Sequence, residues 1–235
     1  LLPLLSKLAD VVRARLYRLG GIIMNILLLG ASGPTGQQVL QQALEHGDTV
    51  TALARHPETL EQFGQQVKVV RGDATSAKDL TKAMDGQDVI ISTLGRGKAL
   101  RAENLFTDAI LAILQAASAT GVHRLVWLSS FGVAHTYDSA TFSQKAVYKT
   151  ILRNIYANKA EAEKLLRASG LDYTIVYPTA LTNGPATDTY RVGENISMKS
   201  AVLKVSRADV GHFMYRAARD AEWIGRDAVI TSGGS

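Results

Sequence analysis

Residues 25–40 read NILLLGASGPTGQQVL. An apolar run of strand length, Asn25–Leu29, ends at Gly30, and Gly33 and Gly36 follow at equal spacing before a helix-like stretch, Gln37–His46. Strand, glycine-rich turn, helix is the context in which such spacing signals a dinucleotide site. Glycine permits the tight turn, lets backbone approach a pyrophosphate, and lets helix and strand lie close. Helix-start N–H groups then face the phosphates. Ser32 and Thr35 can add hydroxyl donors, and Pro34 falls in the first helical turn, where its missing N–H costs nothing. The competing reading is a tight turn without a ligand.

Outward from this stretch, strands and helices alternate. Predicted strands are Asn25–Leu29, Thr49–Ala54, Val67–Arg71, Asp88–Thr93, Arg124–Ser129, Asp172–Tyr177 and Ala228–Thr231. Predicted helices are Pro34–His46, Pro57–Phe63, Ser76–Met84 with Ser76 and Asp79 as a capping pair, Ala102–Thr120, most of Ser143–Ser169, and Ala208–Ala218. Residues 131–142 read as loop, and 178–205 as irregular, with turn signals at Asn183-Gly184-Pro185 and Val192-Gly193. The pattern predicts an α/β fold: a Rossmann-type, doubly wound, mostly parallel sheet with helices on both faces. Residues 24–235 form one NAD(P)-binding domain with a small C-terminal substrate-pocket region, and no linker or repeat divides them.

Residues 1–23 stand apart. Leu4, Leu5, Leu8, Val11, Val12, Leu16 and Leu19 recur at near-helical spacing, with Lys7, Arg13, Arg15 and Arg18 mostly elsewhere, and Gly20-Gly21 ends the run. This amphipathic extension suits a helix docked on the domain or on a neighbouring subunit, a membrane-surface or targeting helix, or sequence upstream of a natural start at Met24. Of the +5 net charge, +3 lies in this extension (four cations against Asp10). The nearly balanced remainder argues against nucleic-acid binding and suits an anionic cofactor. No run approaches the roughly 18–20 apolar residues of a membrane span. Cysteine is absent, which excludes disulfides and thiolate chemistry and accords with a cytoplasmic location. His46, His56, His123, His135 and His212 have no metal-ligand spacing, so no metal is expected.

The end of the second strand discriminates between cofactors. An NAD-selective site carries an acid roughly 20 residues beyond the glycines. Here the strand ends ALARH, with Arg55 at that place. A guanidinium matches a 2′-phosphate by charge and forked geometry, so NADP(H) is expected. Strands three and four end in Arg71-Gly72-Asp73-Ala74 and Ser92-Thr93-Leu94-Gly95, at the carboxyl edge where such sheets bind ligands. Asp73 has two open readings: an acceptor for the adenine amino group, or an acid complementing the dipole of the helix that follows. Strand five ends in Ser129 and Ser130, which either face the nicotinamide half of the cofactor or tie up loop backbone. Lys159 follows Tyr156 by three residues, one short of a Tyr-x-x-x-Lys pair, so a tyrosine general acid is not supported. Glu161 and Glu163 read as a solvated helix face, and Trp127 as core.

Together GASGPTG (30–36), ALARHPE, GDAT (72–75), GQDVIISTLG (86–95), LVWLSSFG (125–132), KLLRASGLDYTIVYP (164–178) and SRADVGHFMYRA (206–217) resemble the atypical short-chain dehydrogenase/reductases, the branch that includes NmrA-like proteins. Within it the likeness is greatest to the biliverdin reductase B and flavin reductase group, and it runs from about Met24 to the C-terminus. The resemblance implies that Gly30, Ser32, Gly33, Pro34, Thr35 and Gly36 hold the pyrophosphate. It likewise implies Arg55 on the 2′-phosphate, Asp73 and Ala74 at the adenine, and Thr93, Leu94 and Gly95 along the ribose and nicotinamide. By the same resemblance Ser129 and Pro178 complete the cofactor site, Ser130 takes part in hydride chemistry, and Lys159 lies near the nicotinamide ribose. Thr179 replaces a histidine of the flavin reductases, and residues 133–158 also differ, which separates the substrate pocket from theirs. Three functions follow as expectations. The first is an NADPH-dependent reductase of a planar small-molecule acceptor such as flavin, biliverdin or quinone. The second is an NADP(H)-binding sensor of the NmrA-like kind. The third, a sugar-nucleotide epimerase or dehydratase, is disfavoured by the missing tyrosine–lysine pair.

Overall fold

The computed structural model describes residues 23–95, 104–140, 145–146, 152–187, 189–196 and 203–233. The predicted helix within residues 1–23 lies almost wholly outside the described residues.

β1 (Asn25–Leu29) leads into α1 (Pro34–Glu45) and β2 (Thr49–Ala54). A 3₁₀ segment (Pro57–Gln66), β3 (Val67–Arg71), α2 (Ala77–Met84) and β4 (Val89–Ser92) follow. Then come α3 (Leu105–Thr120), β5 (Arg124–Leu128), a 3₁₀ turn (Ala134–Tyr137), α4 (Arg153–Arg167) and β6 (Asp172–Pro178). Three short strands, β7 (Ala180–Thr182), β8 (Arg191–Gly193) and β9 (Lys204–Ser206), precede α5 (Arg207–Arg219) and β10 (Arg226–Thr231). Among the described residues the main sheet has eight strands in the order β3-β2-β1-β4-β5-β6-β10-β8, and β7 and β9 form a separate parallel pair. Every pairing in the main sheet is parallel except β8 on β10. β4 crosses to the far side of β1 from β2, so the chain reverses direction across the sheet beside the glycine turn.

Alternation along β1 shows why both faces are covered. Ile26 and Leu28 join the core beneath α1 and α5, with Val39, Leu40, Phe213 and Met214. Leu27 and Leu29 join the opposite core beneath α2, α3 and α4, with Leu80, Phe106, Ile113 and Leu166. A strand buried on both sides reads as one apolar run, which is the signature of a parallel sheet. Trp127 lies in the second core, as expected.

Two expectations are corrected. The region 178–205 contains β7, β8 and β9, each of three residues, too short for a period-two pattern to register. The segment after Pro57 is 3₁₀ with a kink at Gly64, whose φ of 53° interrupts it. Of the helix expected over Ser143–Ser169, α4 accounts for Arg153–Arg167, and most of 141–151 lies outside the described residues.

Asp48 fastens the α1–α5 face to the sheet. Its buried carboxylate accepts from the Met24 amide at 2.9 Å and from the Tyr215 hydroxyl at 2.7 Å, and pairs with the Arg219 guanidinium. These partners join the first strand to a helix near the C-terminus. Asp48→Ala leaves Arg219 and two further donors without their acceptor. It is expected to cost about 3–5 kcal/mol in urea unfolding. At Gly36, a Cβ would stand 2.1 Å from the Gly30 carbonyl oxygen. Gly36→Ala therefore has to push α1 off β1. The same measurement should show a loss of about 1–3 kcal/mol.

Candidate functional site

The carboxyl ends of β1, β2, β3, β4 and β5 converge on one edge of the sheet, and the sequence-predicted residues gather there. At the centre is the turn from β1 into α1. Gly30 has φ 82°, a conformation that favours glycine, and a Cβ there would also meet Thr93 at 2.9 Å. The turn closes through Gly33 N–H to Gly30 C=O at 3.0 Å. Thr93 reaches across from β4: its hydroxyl donates toward the Leu29 and Gly30 carbonyls at 3.0 and 3.1 Å. The Thr93 side chain therefore braces the turn. Pro34 occupies the start of α1, Gly33 offers no side-chain cap, and no acid lies in the first turn. That helix end presents its partial positive charge with nothing from its own first turn to offset it. Ser32 and Pro34 are exposed beside it, while Thr35 and Gly36 are buried beneath.

On one side of the turn lies a basic edge. Arg55 directly follows β2, is exposed, and makes no hydrogen bond or ion pair among the described residues. Arg71 closes β3 in register with Ala54, adjacent to Arg55, and its guanidinium stands 3.8 Å from the half-exposed Glu58. Asp73 and Ala74 follow. One Asp73 oxygen accepts from the Thr75 amide and hydroxyl, both at 2.9 Å. The Asp79 amide donates to the Ser76 hydroxyl that caps α2, and the Asp79 carboxylate accepts from the Asp73 amide at 3.0 Å. Asp73 thus forms a local turn with one oxygen just ahead of the start of α2.

On the other side lie Leu94 and Gly95 after β4, and Ser129 and Ser130 after β5. Ser129 N–H bonds to Val176 C=O at 2.7 Å and Phe131 N–H to Pro178 C=O at 2.9 Å, so this turn is clamped to the end of β6. Lys159 reaches up from α4 and donates to the Ser130 hydroxyl oxygen at 2.9 Å. Its ammonium also sits 4.9 Å from the centre of the Phe106 ring. Burial pulls the Lys159 ammonium down to about 8, with Glu163 opposing that fall. The Tyr156 hydroxyl bonds to the Phe131 carbonyl at 3.2 Å and not to Ser130. Thr179 is buried and bonds across to Thr231 on β10 at 3.2 Å.

Glu163 corrects the sequence expectation. It is buried, while Glu161 is exposed and pairs with Lys164. The buried stripe of α4 is Lys159, Ala162, Glu163 and Leu166, an i, i+3, i+4, i+7 pattern with two charges in it. That spacing was the signal available in the sequence. Ser129 donates to one Glu163 oxygen at 2.5 Å and Tyr177 to the other at 2.6 Å. Arg167 joins Tyr177 to Asp227, and His135 lies 3.4 Å beyond Asp227.

Known proteins share this arrangement. A family model described as NAD(P)H-binding matches residues 30–221. An uncharacterized sugar epimerase, YhfK of Bacillus subtilis, is 26% identical over 89% of this chain and 95% of its own. ChuY of Escherichia coli O157:H7, described as an anaerobillin reductase, superposes with a TM-score of 0.74 at 27% identity, covering 88% of this chain and 97% of that one. A short-chain dehydrogenase/reductase of Veillonella parvula, solved with NADP, shares the fold at a TM-score of 0.75 and 20% identity, covering 91% and 96%. The glycine turn between β1 and α1, the doubly wound sheet and the family match over most of the chain agree: this protein belongs to the NAD(P)H-binding family.

Proposed function

We propose that the protein is an NADPH-dependent reductase that passes hydride to a planar acceptor of the flavin, biliverdin or quinone type. The observation that carries this reading is the hydrogen bond from buried Lys159 to Ser130 at the end of β5, at the same sheet edge as the glycine turn. The site fits a dinucleotide on its own geometry: a Cβ at Gly36 or Gly30 would fill the cradle, and α1 begins without a cap. Gly30–Gly36 would hold the pyrophosphate through backbone N–H groups, Asp73 and Ala74 would border the adenine, and Thr93, Leu94 and Gly95 would line the ribose side. Arg55 would take the 2′-phosphate. When bound, the reduced nicotinamide supplies the hydride.

What the chain itself supplies is orientation and one proton. Lys159 has donors only, so the Ser130 oxygen accepts from it, and the serine keeps its own proton to donate outward. A proton lost from Ser130 Oγ to the reduced acceptor is replaced along the same bond from Lys159 Nζ. This modest equipment suits hydride transfer between stacked planar groups, where positioning carries most of the rate. ChuY's description as an anaerobillin reductase supports a reductase reading. The epimerase description of YhfK finds less support, because the Tyr156 proton is engaged by Phe131 C=O.

The test is NADPH oxidation with a panel of flavins, quinones and biliverdin. Turnover with at least one is expected. Tight NADPH binding without turnover on any would favour the sensor reading. Ser130→Ala should lower kcat by about 10²–10⁴-fold if the serine is the proton donor. The rate should also fall as pH rises through about 8, where Lys159 loses its proton. Arg55→Ala should weaken NADPH by about 10–100-fold and leave NADH nearly unchanged in a fluorescence titration. An unchanged NADPH/NADH ratio would overturn the assignment of the 2′-phosphate.

A further inference from the structure

Glu163 has no part in the chemistry above, yet it is a buried carboxyl one turn along α4 from Lys159. The hydrogen bonds around it fix its role. An arginine guanidinium can only donate. Arg167 donates to the Tyr177 oxygen at 3.0 Å, so the single tyrosine proton is free to go to Glu163, 2.6 Å away. Ser129 brings its hydroxyl to the other carboxyl oxygen at 2.5 Å. Both carboxyl oxygens are thereby engaged by hydroxyls. Asp227 anchors the far end, with both its oxygens 2.8 Å from Arg167.

We propose that Glu163 is the counter-ion of Lys159: a positioning residue that keeps the lysine protonated and aimed at Ser130. It acts through Lys159 and touches neither cofactor nor acceptor. The groups facing the pair come from every neighbouring element. β5 contributes Ser129 and Ser130, β6 contributes Tyr177, and α3 contributes the uncharged Phe106 ring. α4 adds Arg167, β10 adds Asp227 behind it, and His135 lies at the outer end. Arg167 and Asp227 largely offset each other, so Glu163 is the anion that answers Lys159. Burial pushes the Glu163 carboxyl up, while the two hydroxyls, Arg167 and Lys159 pull it back. Each buried group thus favours the charged form of the other. The kinetic consequence rests on the reductase reading; the charge pairing does not.

The experiment titrates Lys159 directly, by the NMR signal of its ε-carbon in lysine-labelled protein, assigned by its loss in Lys159→Met. In Glu163→Gln the Lys159 midpoint should fall from about 8 by about one to two pH units. The high-pH limb of kcat/KM should move down by the same amount. If Glu163→Gln does not fold, Lys159→Met reads the same coupling from the other partner, and the Glu163 carboxyl midpoint should rise. A Lys159 midpoint unmoved in folded Glu163→Gln, or a Glu163 midpoint unmoved in Lys159→Met, overturns the proposal. Absence of turnover with a shifted midpoint would sink the reductase reading and leave the pair intact. Turnover with an unshifted midpoint would sink the pair alone.

Discussion

The closeness of α1 to β1 governs this structure. The Gly30 carbonyl sits so near Gly36 that no side chain fits between them, and Thr93 locks the approach by bonding to the Leu29 and Gly30 carbonyls from β4. Three separate chain segments thereby agree on one backbone path. Because β4 lies on the opposite side of β1 from β2, this path also stands at the reversal of strand order, where open α/β sheets have a crevice. The same turn that lets the helix lie on the sheet leaves the helix start without a side-chain cap or an acid in its first turn. A fold requirement and an anion-binding geometry are here a single feature.

The two flanks of that turn follow different electrostatic rules. Arg55 and Arg71 are exposed, so their attraction for an anion is screened by water and salt. Lys159 and Glu163 are buried, and there each charge depends on its neighbours. Removing water from a charge costs several kcal/mol unless partners replace it. The Glu163 partners do so on both oxygens, and Lys159 has Ser130, the Phe106 ring and the carboxylate one turn away. An exposed pair of cations and a buried pair of opposite charges thus sit on opposite sides of one cradle.

Much of this was legible in the sequence, for physical reasons. Strands buried on both faces must be apolar throughout, so β1, β4, β5 and β6 announced themselves. Glycines forced by φ or by contact had to be glycine, so the turn was readable too. Arg55 was singled out because its place is counted from that turn. The short strands β7 to β9 escaped because three residues cannot display an alternation. Glu163 was misread because charge suggests solvent, although its place on the Lys159–Ala162–Leu166 stripe said otherwise.

The misreading of Glu163 also shows how this chain differs from an enzyme that works through a tyrosine. In a Tyr-x-x-x-Lys arrangement the lysine serves a phenol on its own helix. Here the corresponding helix turns its tyrosine away, onto the Phe131 carbonyl, and the lysine serves a hydroxyl at the end of a neighbouring strand. A serine proton is far harder to remove than a phenol's, so Ser130 cannot act as a free-standing acid. It can pass on a proton only if a cation replaces that proton at once. The burden therefore shifts to keeping Lys159 charged in a buried position, and a carboxylate on the same helical stripe, itself held by Ser129 and Tyr177, answers that need. On the proposed reading, the polar residues inside α4 form one device with Ser130 at its working end.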